Sequence, residues 1–404
     1  MLILLKWGYA ILALKHRKGM NLSMKKVLLS FGTRPEAIKM CPLYLELKKC
    51  RDFETICLVT AQHRDMLDNV LKTFGVKPDY DLDIMGQNQT ITDITCSVLQ
   101  KLKPILVSEK PDLVLVHGDT TTAFASALAC FYEKIPVGHV EAGMRSFDIY
   151  SPFPEEVNRK MISTVAKLNF AATKTAYENL IREGVDENAI YLTGNTVIDA
   201  LRISKNDNFT FTEKALNSID FDNKRIILLT CHRRENLGRA MSNIFTSVKR
   251  ILEDYQDVEF VFPIHKNQAV RDAFNNVGIK NERMHLIEPL DYLPFIYLME
   301  KSYLILTDSG GIQEEAPYFG KPVVVVRDVT ERMEAVEAGT VILAGTESDN
   351  VYNTVAMLLD NNERYQRMSR AINPYGDGWA CNRISQNIKY YFGFSKSPAT
   401  PFIV

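Results

Sequence analysis

Apolar residues in this chain come in short blocks separated by stretches long enough for a helix. In the first half the blocks are Val27–Phe31, Thr55–Thr60, Leu113–His117, Pro136–Val140, Leu168–Ala172 and Ile190–Thr193. In the second half they are Arg225–Thr230, Val258–Pro263, Met284–Ile287, Tyr303–Thr307, Pro322–Val326 and Val341–Ala344. Several, such as Pro322-Val-Val-Val-Val326, show no polar alternation. A strand without alternation is buried on both faces, as in a parallel sheet covered by helices. Strands that alternate with helices give an α/β architecture. Blocks fall evenly on either side of the polar stretch 204–223, so the pattern predicts two doubly wound domains of similar size with a cleft between them.

Ligands of such sheets bind beyond the carboxyl ends of the strands. Nearly every unusual polar cluster of this chain follows an apolar block directly. These clusters are Gly32-Thr-Arg-Pro-Glu36, Ala61-Gln-His63, Gly118-Asp-Thr120, Glu141-Ala-Gly143, Gly194-Asn195, Cys231-His-Arg-Arg-Glu235, Ile264-His265 and Asp308-Ser-Gly-Gly311. Their shared position predicts one large site built by both halves.

Composition narrows the chemistry. The chain has 404 residues, 46% of them hydrophobic and 24% charged, which excludes disorder or coiled coil as the main architecture. Lys plus Arg is 48 against Asp plus Glu 49, so no basic excess marks a nucleic-acid binder. Any anionic ligand must be held by a local site. The seven cysteines form no C-x-x-C pair and the histidines form no H-E-x-x-H, so neither a disulfide framework nor a metal site is expected. Together these features predict a cytoplasmic protein without a cofactor. Residues 1–23 differ from the rest. Their apolar run Trp7–Leu14 is far shorter than the roughly 20 residues that span a bilayer. The basic residues Lys15 to Lys18 follow that run, whereas a signal peptide carries its charge in front. The expectation is an extension outside the fold that precedes Met24, with no membrane insertion; a short amphipathic anchor is the alternative.

Three kinds of cluster carry chemistry. Ser309, Gly310 and Gly311 follow a strand and open a helix, so their N–H groups suit a phosphate or diphosphate; an ordinary Asp/Ser helix cap reads equally well. Glu315 in the first turns of that helix suits ribose hydroxyls, or simply complements the helix dipole. Arg34 at a strand end could clamp a phosphate, Lys39 about one helical turn further on could supply a second cation, and the same holds for His232, Arg233 and Arg234 after a later strand; an ordinary turn with solvated side chains is the other reading. Gly32 would permit a tight turn before Arg34. The carboxylates Asp119, Glu141 and Glu155 suit proton transfer. Asp119 and Glu155 also read as helix starts, but a charge at Glu141, ending an apolar strand, needs a partner or a function.

In order along the chain, these motifs resemble the non-hydrolysing UDP-N-acetylglucosamine 2-epimerase family. The markers are Phe31-Gly-Thr-Arg-Pro-Glu-Ala-Ile-Lys-Met40, Thr60-Ala-Gln-His63, Val116-His-Gly-Asp-Thr-Thr121, Gly138-His-Val-Glu-Ala-Gly143 and Ser151-Pro-Phe-Pro-Glu-Glu156. Further on come Thr193-Gly-Asn-Thr-Val-Ile-Asp-Ala-Leu201, His232-Arg-Arg-Glu-Asn236, Thr307-Asp-Ser-Gly-Gly-Ile-Gln-Glu-Glu-Ala316, Thr330-Glu-Arg332 and Asn373-Pro-Tyr-Gly-Asp-Gly378.

The resemblance implies two Rossmann-like domains in the GT-B arrangement, over residues 24–195 and 196–375. Residues 376–404 would form a helix and tail returning to the first domain, and the assembly would be a homodimer. It implies reversible epimerisation at carbon 2 of UDP-N-acetylglucosamine, giving UDP-N-acetylmannosamine for cell-surface polysaccharide synthesis. A hydrolysing 2-epimerase, or one for a modified UDP-N-acetylglucosamine, are the alternatives. A GT-B glycosyltransferase would need an acceptor, and a nucleotide-sugar sensor would bind without turnover. By resemblance, Asp119, Glu141 and Glu155 match the acid–base carboxylates, with His232 beside them at the departing diphosphate. Arg34, Lys39, Ser309, Gly310, Gly311, Glu315 and Arg332 match nucleotide and diphosphate contacts, and Phe295 the uracil side. Gln62 and His63 suggest a second, activating substrate site. Met333 replaces the proline usual after Thr-Glu-Arg, Cys231 replaces a small residue before His232, and Leu290 stands where some members carry Gln.

Overall fold

A computed structural model describes residues 23–62, 64–86, 89–206 and 209–403. The prefix 1–22 and His63 lie outside the described residues. The first half contains β1 (Lys25–Phe31), β2 (Phe53–Val59), β3 (Tyr80–Asp81), β4 (Leu113–His117), β5 (Val137–Ala142), β6 (Leu168–Ala171) and β7 (Ile190–Leu192). The second contains β8 (Arg225–Thr230), β9 (Val258–Pro263), β10 (Met284–Ile287), β11 (Leu304–Thr307), β12 (Val323–Val325) and β13 (Val341–Leu343). Every apolar block of the sequence is a strand. The one strand not foreseen, β3, has two residues, too few to leave a pattern.

The strands form two sheets in the orders β3-β2-β1-β4-β5-β6-β7 and β10-β9-β8-β11-β12-β13. The pairing is parallel throughout each. These are two Rossmann-like domains in the GT-B arrangement. Each sheet reverses its winding once, between β1 and β4 and between β8 and β11. A reversal opens a crevice at the carboxyl ends of the two strands. The loops there carry Arg34 after β1, Asp119 after β4, His232 after β8 and Ser309 after β11, so residues far apart in sequence come to the carboxyl edge of each sheet.

The first core packs β1, β2 and β4 under the helix Arg34–Lys48 through Leu29, Met40, Leu43 and Leu47. The helix Ala380–Tyr391 sets Cys381, Ile384 and Ile388 into the same core. Fully burying each such isoleucine stabilises the fold by about 1.5–3 kcal/mol. The second core joins β8, β9 and β11 to the helices Arg239–Asp254 and Ser348–Asp360. Between the halves, the helix Thr196–Ser204 packs Val197, Ile198 and Leu201 against Tyr292 and Ile296. Asp199 on that helix accepts hydrogen bonds from the backbone N–H groups of Ala380 and Cys381, both at 3.0 Å. It therefore caps the C-terminal helix from a buried position. Among the described residues, no helix is long and apolar enough to cross a membrane.

Candidate active site

The first half builds its share of the site from the ends of β1, β4 and β5. Gly32 does not make the tight turn its type suggested. A Cβ there would lie 1.8 Å from the Thr60 hydroxyl, so the glycine permits close approach of neighbouring strand ends. Glu36, one turn into the helix Arg34–Lys48, accepts from the N–H groups of Gly32 (3.0 Å) and Thr33 (2.8 Å), and from the Thr120 hydroxyl (2.7 Å). This ties the β1 loop to the β4 loop. Lys39, on the same helix, forms an ion pair with Glu141 instead of projecting freely toward a phosphate. Glu141 has a left-handed backbone, φ 61°, where β5 breaks its register. That bend turns a strand residue inward. Asn195 Nδ2 donates to Glu141 at 2.8 Å, and His117 Nε2 lies 3.6 Å away. Burial alone would raise the Glu141 pKa. The Lys39 ammonium, then His117, overcome this and hold it well below the usual carboxylate range.

Asp119 pairs with Arg159 at 2.5 Å and does not cap its helix, because Thr120 does that by accepting from Ala123 N–H. Glu155 opens the helix Glu155–Val165, and its Oε2 is buried without a hydrogen-bond partner among the described residues. A buried acceptor left open in this way is suited to a ligand's donor or to a proton.

The second half contributes the ends of β8 and β11. Asp308 is fully buried, and its Oδ2 accepts from the N–H groups of His232 and Arg233, both at 2.8 Å. The His232 ring stacks on His265 with centroids 5.6 Å apart. Burial lowers the His232 pKa, so the ring is neutral near neutral pH. Ser309 precedes the helix Gly310–Glu315, and its hydroxyl makes no capping bond. A Cβ on Gly310 would lie 3.2 Å from Arg332 Cζ and 3.5 Å from Arg233 Nη2. The missing side chain thus lets two guanidinium groups lie against the start of this helix. Arg332 is held by Glu314, with Nε at 3.0 Å and Nη2 at 2.9 Å from Oε1. Burial and the Glu314 charge raise the Glu315 pKa to about 7, with Lys39 and Arg34 opposing.

A cleft of about 1080 Å³ separates the halves. Asp119, Glu155 and Arg332 line it, with Arg159, Asn195, Arg233 and Glu314. Lys39 and Glu141 join this wall through Asn195 and Glu314. Arg34 and Glu315 form a neighbouring group around the buried Tyr292 hydroxyl, which lacks a partner among the described residues. Phe295 lies on the helix Tyr292–Lys301, partly buried against the apolar cluster of Ile226, Leu228 and Val323 in the second half. Gln62 is tied to the Thr122 hydroxyl at 2.9 Å, and its neighbour His63 lies outside the described residues. Among the described residues, no group of His, Cys, Asp and Glu is placed to hold a metal ion.

The family model described as UDP-N-acetylglucosamine 2-epimerase matches residues 45–389. The UDP-N-acetylglucosamine 2-epimerase of Escherichia coli (strain K12) is 52% identical over 370 residues, covering 90% of this chain and 98% of that protein. The chain belongs to the UDP-N-acetylglucosamine 2-epimerase family. The relative from Bacillus subtilis (strain 168), which carries the same name, is 50% identical over 377 residues, covering 93% of this chain and 98% of its own length. A solved structure of UDP-GlcNAc 2-epimerase from Neisseria meningitidis, bound to UDP-GlcNAc, matches with a TM-score of 0.83 and 48% identity. That match covers 90% of this chain and all of the other. Arg233, a candidate cation from the sequence, lines the cleft, whereas sequence reasoning assigned no role to Arg159, Asn195 or Glu314. Arg159 lies mid-helix and carries no motif signal. Asn195 and Glu314 stand inside recognised motifs, yet nothing in one dimension shows that they face each other.

Proposed function

We propose that this chain interconverts UDP-N-acetylglucosamine and UDP-N-acetylmannosamine without releasing free sugar, and that it does so as a cytoplasmic homodimer. The observation that carries this reading is the placement of the carboxylates Asp119 and Glu155 in one cleft with the cations Arg332 and Arg233, and of Glu141 just behind its wall. The hydrogen on carbon 2 has no adjacent carbonyl, so its direct removal would leave an unstabilised carbanion. Elimination avoids that. A carboxylate takes the carbon-2 proton, and the C–H electron pair becomes the carbon 1–carbon 2 double bond. The bond from carbon 1 to the diphosphate oxygen breaks, giving 2-acetamidoglucal and UDP. Guanidinium groups beside the N–H groups of Ser309, Gly310 and Gly311 stabilise the charge that develops on the diphosphate.

Re-addition reverses these steps, with the proton delivered to the opposite face of carbon 2. Two faces need more than one proton-handling group, which three carboxylates can supply. A closed cleft keeps water from the intermediate. Buried, unpaired cysteines such as Cys41, Cys130 and Cys381 suit a reducing compartment.

The test is NMR of the purified protein with UDP-N-acetylglucosamine in deuterated water. The expected product is UDP-N-acetylmannosamine carrying deuterium at carbon 2. Free N-acetylmannosamine would instead identify a hydrolysing enzyme. Retention of the original hydrogen in every turnover would count against exchange with solvent through these carboxylates. A solution mass of twice 46.0 kDa is expected for the homodimer.

A further inference from the structure

One buried carboxylate in this region has no assigned role. The Glu314 side chain is 2% exposed and stands on the second half of the molecule, in the helix Gly310–Glu315. It binds Arg332 through Oε1. Its other oxygen, Oε2, reaches the first half, where it accepts from Asn195 Nδ2 at 3.2 Å and lies 3.8 Å from Lys39 Nζ. Asn195 Nδ2 also donates to Glu141, and Lys39 also pairs with Glu141. Two carboxylates from opposite halves therefore hang from one amide nitrogen and share one ammonium.

Purely structural burial would not require this sharing, because Arg332 alone neutralises Glu314. We propose that Glu314 is a positioning residue of the epimerisation site: it divides Lys39 and Asn195 with Glu141 and holds Arg332, tying the proton-handling carboxylate of one half to the phosphate-facing cation of the other. The inference rests on the reading that Glu141 handles the carbon-2 proton.

The groups that face Glu141 are Lys39, His117, His139 and Arg332, with Glu314 across Asn195. Glu314 is the negative charge among these five groups, and it opposes the cations around Glu141. Without it, Lys39 acts more strongly on Glu141 and Arg332 loses its main anion, so Glu141 binds a proton less readily. A weaker base slows proton abstraction according to its lost basicity.

The experiment is Glu314→Gln, which keeps shape and removes charge, compared with wild type and Glu141→Gln. Activity is measured with UDP-N-acetylglucosamine and UDP-N-acetylmannosamine, each with hydrogen or deuterium at carbon 2. We expect kcat of E314Q to fall on the order of tenfold. KM should stay within about threefold, because Arg332 retains Glu331 at 3.6 Å. The deuterium isotope effect on kcat should be no smaller than in wild type in at least one direction, as slowed proton transfer requires.

A loss carried by KM, or an isotope effect that shrinks in both directions, would mean a structural or binding role and overturn the inference. Should E314Q not fold, Glu314→Asp, which keeps the charge but withdraws it from Lys39 and Asn195, should lower kcat in the same way by a smaller factor, and wild-type kcat in E314D would overturn the inference. Wild-type turnover in E141Q would overturn the acid–base reading and this inference with it. A slow E141Q beside an E314Q with wild-type kcat would overturn this inference alone.

Discussion

Lys39 and Glu141 stand 102 positions apart and meet as an ion pair with side chains only 14% and 11% exposed. The pair joins the first helix to the end of β5. It makes Lys39 first a partner of a carboxylate and only then a candidate for a phosphate, a priority the motif alone does not reveal.

Removing the Glu141 charge should affect turnover and stability differently. In Glu141→Gln, kcat should fall about 10²–10⁴-fold while KM changes little, as steady-state kinetics would show. Lys39 keeps Glu314 at 3.8 Å, so the stability loss should be at or below the roughly 3 kcal/mol typical of breaking a buried pair. The folded pKa of Glu141 is depressed, so its ionic contribution is present above the ordinary value of 4.5. It is lost as pH falls through the depressed folded value. The difference in melting temperature between wild type and E141Q should therefore shrink as the buffer is taken below about pH 4.5.

Glu315 carries the opposite sign. Its pKa is raised from 4.5 to about 7, so the folded protein holds a proton there that the unfolded chain releases. Stability from this group declines as pH rises from 4.5 toward 7 and levels off above that. In Glu315→Gln this part of the decline should vanish. Urea titrations of the nucleotide-free protein at a series of pH values would show it; parallel profiles for the two proteins would contradict it.

Gly143, two residues beyond Glu141, has φ 91°. A Cβ there would lie 2.1 Å from the Ala176 carbonyl oxygen, which is backbone and cannot swing away. Gly143→Ala should destabilise the protein by about 3 kcal/mol or more. Because the shift falls next to the bend that aims Glu141, activity should drop even where the variant remains folded. Thermal unfolding and turnover at a low temperature separate the two effects.

The C-terminal helix should prove part of the first domain's core. Ile384 is fully buried among side chains of the first sheet. Ile384→Ala should cost about 2–5 kcal/mol, measured by denaturant unfolding. An effect below about 1 kcal/mol would mean that the helix docks loosely.

The strands were legible because apolar blocks without alternation have one stable use, the interior of a parallel sheet. Pro322 to Val326 and Arg225 to Thr230 show this directly. Only β3 escaped, since two residues carry no periodicity. The strand-end clusters were legible for a related reason. Polar residues directly after a buried strand face the sheet's carboxyl edge, so Arg34, Asp119, His232 and Ser309 could be assigned to strand ends before any coordinates. Gly32 shows the limit of residue-type reasoning. A turn was expected, but the position demands space beside Thr60, which only the packing of neighbouring strands creates.

Residue order by itself thus determined the α/β class, the two-sheet organisation and the catalogue of charged groups at the strand ends. These follow from local periodicity, because burial of a strand is written in its own side chains. Tertiary structure decided the pairings. Lys39 chooses Glu141, Asp119 chooses Arg159, and Glu314 reaches across to Asn195 and Lys39. Charge pairing depends on distance in space, and that distance is set by where each sheet reverses its winding and how the two halves meet.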